Sequence, residues 1–221
     1  MLAGQTSVAS DGYENALFPL DYLYCTQKSS PSDYSHCCGH PSDWIGTYNE
    51  YPYYAPFSMT KYGSVAGEGT TLWVSDDLVH TPMGLTRVSV QFTHDYNPPT
   101  VNHLNQGDLV GHTGRAGLAT GDHVHLDQSP MINAPIINYG VTCSSGYQCW
   151  ALQNSAQPYD IFYITGDETI VQTLGMTFQI VPDTPTPPIP GGNMKLLLLF
   201  AKKILERRTN YGRNQRHSGT L

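Results

Sequence analysis

The chain has 221 residues, 39% of them hydrophobic and only 13% charged, with 21 glycines, 16 prolines and 15 tyrosines. That composition suits one globular core with appendages, built from short strands and turns in a mainly β fold class. The net charge of −7 is uneven: residues 194–221 carry seven Lys or Arg against one Glu, net +6, which leaves −13 for the remainder and excludes nucleic acid as a partner of the main domain.

In chain order, residues 1–14 are polar and read as an N-terminal arm. No secretory signal peptide is seen, because the start of the chain has neither a basic region nor an apolar one. Residues 15–180 form the domain. Within it, apolar runs alternate with turn clusters: Tyr22-Leu23-Tyr24, Tyr53-Tyr54-Ala55, Thr71 to Val74, Val88 to Phe92, Asp108 to Gly111, His123 to Leu126, and Ile161 to Ile164. This spacing predicts a small antiparallel β-sheet or sandwich. Five cysteines are too few and too irregular for a disulfide scaffold, though Cys143 and Cys149 could close a bond across a loop tip.

Residues 181–193 are a Pro-rich linker, since prolines cannot donate to a ladder and favour extended geometry. Residues 194–221 are a basic tail whose apolar start, Met194 to Leu205, predicts a short C-terminal helix. That stretch is shorter than the roughly 20 residues needed to span a bilayer. Docking on a partner subunit is the expected role, with contact to a membrane surface as the alternative.

The most informative run is Gly121-Asp122-His123-Val124-His125-Leu126-Asp127. Side chains on a strand alternate, so His123 and His125 share a face while Val124 turns to the core. Such a pair suits a site where one imidazole holds a metal and the other handles protons. A catalytic zinc needs three protein ligands and an open position, and further candidates lie in Ser35-His36-Cys37-Cys38-Gly39-His40-Pro41-Ser42-Asp43 and in Thr93-His94-Asp95.

Taken together these segments resemble the lysostaphin/LytM family of zinc endopeptidases. The likeness rests on Ser35-His36 with Asp43 seven places on, Ala55-Pro56-Phe57, Phe92-Thr93-His94-Asp95, Gln106 to Gly114, and Thr120-Gly121-Asp122-His123-Val124-His125, in that order over residues 20 to 130. The long His-to-Asp interval and the His-Asp middle motif are most similar to peptidoglycan-hydrolase domains of bacteriophage tail proteins. The resemblance implies a β-sheet with a metal groove and one zinc ion held by His36, Asp43 and His125. It implies catalytic roles for His94 and His123 beside the metal water, and bacterial peptidoglycan peptides as substrate. It further implies a virion location in the phage tail, with other tail proteins as partners.

Alternatives stay open at this point. His40 could replace His36 as first ligand, or Cys37 and Cys38 could build a structural zinc site with these histidines. Asp95 and Asp122, bordering the two catalytic candidates, could hydrogen-bond their rings, and Asp127 stands where relatives often have Glu. Tyr48, Tyr51, Tyr53 and Trp150 are candidate groove walls. At the level of function, the rivals are a non-catalytic structural virion or wall-binding protein and a zinc D-Ala-D-Ala dipeptidase or carboxypeptidase.

Overall fold

A computed structural model describes residues 4–33, 35–65, 67–130, 137–142, 148–152 and 154–182. The helical tail, most of the linker and the expected Cys143–Cys149 bond lie outside them. Along the chain the strands are β1 (Glu14–Asn15), β2 (Tyr22–Lys28), β3 (Ser42–Ile45), β4 (Pro52–Tyr54), β5 (Met59–Val65), β6 (Thr70–Ser75), β7 (Val79–Thr81), β8 (Gly84–Thr86), β9 (Ser89–Thr93), β10 (His103–Leu104), β11 (Leu109–His112), β12 (Val124–Ser129), β13 (Ile137–Thr142) and β14 (Gln148–Leu152). A single helical turn, α1 (Pro158–Ile161), and a last strand, β15 (Thr169–Gln172), follow.

Eight strands make one sheet in the order β10-β5-β6-β9-β12-β3-β2-β15. Its pairs are antiparallel except β15 on β2, which is parallel. A small sheet β1-β7-β8 and the pairs β4-β11 and β13-β14 complete the architecture. The fold is therefore mainly β, as the composition and spacing predict. One expected strand is corrected: Ile161 to Ile164 begins inside α1, where Pro158 occupies the first turn with its fixed φ, and Tyr163 and Ile164 make only isolated bridges. Residues 4–8, in the stretch read as an arm, are tied to the domain. The Ser7 N–H donates to Gln106 Oε1 at 2.8 Å and Val8 bridges Glu14.

β12 is buried along its whole length, between β9 and β3. Val124 and Leu126 turn to the apolar face, opposite Trp44 and Phe92 respectively. Trp44 meets Phe18 edge-on at 4.8 Å and Tyr53 stacks on Phe92 at 4.9 Å. Full burial of such rings contributes about 3 kcal/mol each. With that face committed to the core, His125 and Asp127 must project from the other, and slipping the register by one residue would reverse them. The core thereby aims the histidine.

Candidate metal centre

Register decides which groups meet. Asp43 on β3 lies directly opposite His125 on β12, and Thr93, the residue before His94, lies opposite His125 on the other side. Paired residues of adjacent strands share a face. His36 arrives from the turn before β3, which Asp33 caps by accepting the Ser35 N–H at 2.9 Å and the His36 N–H at 3.1 Å.

The result is one buried cluster. His36 Nε2 lies 2.9 Å from Asp43 Oδ1, His125 Nδ1 3.1 Å from the same oxygen, and His123 Nε2 3.5 Å from Asp43 Oδ2. One ligand atom each from His36, Asp43 and His125 falls within 4.8 Å of the others, and all three residues are buried. Two imidazoles and a carboxylate in this compass fit a divalent metal ion, whose usual four-coordination would leave one position for a further ligand. Ser35 Oγ, 2.8 Å from His36 Nδ1, engages the outer nitrogen of that ring and orients it.

Electrostatics agree with that fit. Burial acts to raise the Asp43 carboxyl, but hydrogen bonds from His125 and His36 and the proximity of both rings outweigh it and hold the group well below the usual carboxylate range. Asp43 is thus an anion enclosed by imidazoles, the charge a cation would neutralise.

His94 and His123 complete the cluster. Their ring centroids are 4.6 Å apart, and His94 lies 6.0 Å from His125. His94 Nδ1 is 2.7 Å from the Ala116 carbonyl and His123 Nδ1 is 2.8 Å from the Gly121 carbonyl. A carbonyl only accepts, so each Nδ1 is the donor; the neutral His94 ring then keeps its lone pair on Nε2, while His123 Nε2 faces the Asp43 carboxylate. Burial pushes His94 down to about 4, with the neighbouring His123 and His125 adding to the effect against the raising influence of the Ala116 bond. His94 is therefore neutral near pH 7.

The sequence alternatives now separate. His40 stands apart: its Nδ1 is 2.8 Å from Gln157 Nε2 and its backbone N–H donates to Ser155 Oγ. Cys37 is disulfide-bonded, so it cannot serve as a thiolate in a Cys/His zinc site. Neither aspartate bordering the catalytic candidates has a hydrogen bond to their rings. Asp95 takes the His112 N–H at 3.0 Å and the Tyr53 hydroxyl at 3.2 Å, while Asp122 pairs with Arg115 at 3.1 Å. Asp127 is fully buried and anchors the end of β14 and the turn after it, accepting from the Leu152 N–H at 2.6 Å and from the Ser155 hydroxyl. Tyr53 and Tyr51 are buried, the latter donating to Asp21, so they are packing groups rather than groove walls. Tyr48 is 52% exposed, and the Trp150 side chain lies outside the described residues.

What residue-type reasoning missed are the tethers. Ala116 and Gly121 act through backbone carbonyls, which carry no signal in a sequence. Asp33 did carry one, as an aspartate two residues before Ser35, the pattern of an Asx turn.

No protein-family profile matches the chain. It is 32% identical over 180 residues to morphogenesis protein 1 of Bacillus phage B103, covering 77% of this chain and 45% of that one. The chain thus spans less than half the length of that curated relative. Among solved structures it aligns with a zinc-containing peptidase from Vibrio cholerae at 14% identity and a TM-score of 0.37, over 66% of this chain and 44% of that one. A peptidase structure from Pseudomonas aeruginosa aligns at 21% identity and a TM-score of 0.31, over 52% and 48%.

Proposed function

We propose that this chain is a zinc metalloendopeptidase of the lysostaphin/LytM type that cleaves peptide stems or cross-bridges of bacterial peptidoglycan. Its setting would be a phage virion, as a tail-associated lysin that opens the wall during genome delivery. The observation that carries the reading is the meeting of His125 and Asp43, 82 residues apart in sequence, with His36, beside two further histidines whose Nδ1 atoms are each tied to a backbone carbonyl. The likeness to a Bacillus phage morphogenesis protein supports the virion setting.

His36, Asp43 and His125 would hold the ion. Zinc, when bound, lowers the pKa of a coordinated water towards about 7 and polarises the scissile carbonyl. His94 and His123 would do the proton work. The Ala116 and Gly121 carbonyls pin the Nδ1–H of each ring, and Nε2 of His94 would take a proton from the attacking water and return it to the leaving amine. Residues 194–221 would contact the tail assembly.

The test is digestion of defined muropeptides by the purified full chain and by His125→Ala, with zinc content measured in both and products identified by mass spectrometry. Stoichiometric zinc and internal cuts by the parent alone are expected. Trimming of terminal D-alanine would favour a dipeptidase. Wall binding without cleavage, equal in parent and variant, would leave only a structural protein.

A further inference from the structure

The His94–Asp95 dipeptide is buried and held by contacts from several segments. His94 has φ of 84°, a left-handed conformation that residues with a side chain rarely adopt. Two backbone bonds supply part of the constraint that holds it there: the His94 N–H donates to the Glu68 carbonyl at 3.1 Å, and the His94 carbonyl accepts the Ala116 N–H at 3.0 Å.

Asp95 supplies the rest. Only 3% exposed, it spreads its carboxylate over three segments, with Oδ2 accepting from Tyr53 on β4 and from the His112 N–H on β11, and Oδ1 accepting the Asn97 N–H at 2.7 Å. Burial, with Asp95 beside it, pushes the Tyr53 phenol well above its ordinary range, so it stays a donor.

Three glycines, one before β6 and two in the stretch around β11, make room for this dipeptide. A Cβ at Gly111 would stand 1.9 Å from Asp95 Oδ2, at Gly69 2.1 Å from the Asp95 carbonyl, and at Gly114 2.3 Å from the His94 carbonyl. Two of the three belong to the Gln106 to Gly114 motif. That motif has no group among the five cluster residues, and two of its three glycines, Gly111 and Gly114, are accounted for by this close approach, while Gly107 instead meets Gly4.

We propose that Asp95 is a positioning residue: by tying β4, β11 and the 95–97 turn together it holds the left-handed backbone of His94, and so keeps the His94 ring on the Ala116 carbonyl with Nε2 facing the metal cluster. This rests on the proposed peptidase function for its effect on rate, but not for its effect on the ring.

The test compares full-length, zinc-loaded Asp95→Ala, Asp95→Asn and Tyr53→Phe with the parent. Nitrogen-15 NMR of the imidazoles, with His94 assigned through His94→Gln, reads the ring. Initial rates on purified cell walls read the chemistry, with zinc content and thermal unfolding recorded alongside. The parent should show His94 as a single Nδ1–H tautomer. In Asp95→Ala the His94 signals should move to a tautomer average and kcat fall about 10- to 100-fold, with KM and zinc content changed by less than about twofold. Asp95→Asn, which keeps one acceptor oxygen, should fall between, and Tyr53→Phe should show the smallest change. Unaltered His94 signals in Asp95→Ala would overturn the proposal, as would a rate loss that tracks zinc loss and unfolding across the series. If Asp95→Ala does not fold, the other two variants decide by the same criteria. A parent that leaves walls intact would remove the peptidase reading, while the His94 signals would still decide the role of Asp95.

Discussion

His36, Asp43 and His125 occupy one small volume with His94 and His123, yet the two groups are held in different ways. Asp43 and His125 sit face to face on paired central strands, fixed by the register that also sets Trp44 against Val124 and Phe92 against Leu126. His94 stands just past the end of β9 in a left-handed conformation, and His123 precedes β12 at an isolated bridge to Gly114. Ladder geometry secures two of the three candidate ligands and an Asp33-capped turn the third, His36, whereas single backbone carbonyls and glycine clearances secure the candidate proton carriers. Groups that must hold an ion gain from rigidity, and groups that must exchange protons need a fixed tautomer more than a fixed strand.

Substitutions can break that division. The largest effect is expected at Asp43→Ala, which removes the oxygen on which both rings converge. Zinc content should fall to background and wall hydrolysis by at least about 10³-fold, measured by metal analysis and turbidity clearance. Should the variant keep its zinc, the ligand half is misassigned. Next come His94→Ala and His123→Ala, which should each keep one zinc per chain while kcat falls by about 10² to 10⁴. Loss of metal in either would merge the two groups into one.

Gly114→Ala sharpens the comparison, because its Cβ would press on the His94 carbonyl while touching no candidate ligand. It should cost about 1–3 kcal/mol in denaturant unfolding and lower the rate without releasing zinc. The smallest effect is in pH dependence. Burial lowers His94 from 6.5 to about 4, so between those values the unfolded chain binds the extra proton. The stabilising contribution is complete above pH 6.5 and is lost as pH falls towards 4. The metal-free protein should therefore show a falling midpoint of thermal unfolding across that window, flatter in His94→Gln, and equal slopes would discount His94 as a buried neutral ring.

Much of this was legible in the chain. The alternation in His123-Val124-His125 forces two imidazoles onto one face of any strand, and the apolar runs at Tyr22 to Tyr24, Thr71 to Val74 and Val88 to Phe92 became β2, β6 and β9. Other features were hidden for physical reasons. Ser42–Ile45 mixes polar and apolar residues that are nearly all buried, so no period marked β3 as the strand carrying Asp43. Asp95, adjacent to a histidine, suggested a ring partner, but the left-handed turn at His94 sends its carboxylate to Tyr53 and His112 instead. Tyrosines read as groove walls are packing groups where Phe92 and Asp21 receive them.

Residue chemistry by itself determined which groups can bind a metal or carry a proton, and a strand's period of two determined that the paired histidines point the same way. Neither could choose between His36 and His40, or exclude Cys37 as a ligand. Those choices depended on cross-strand register, a disulfide and backbone carbonyls, and they exist only once segments distant in sequence are packed side by side.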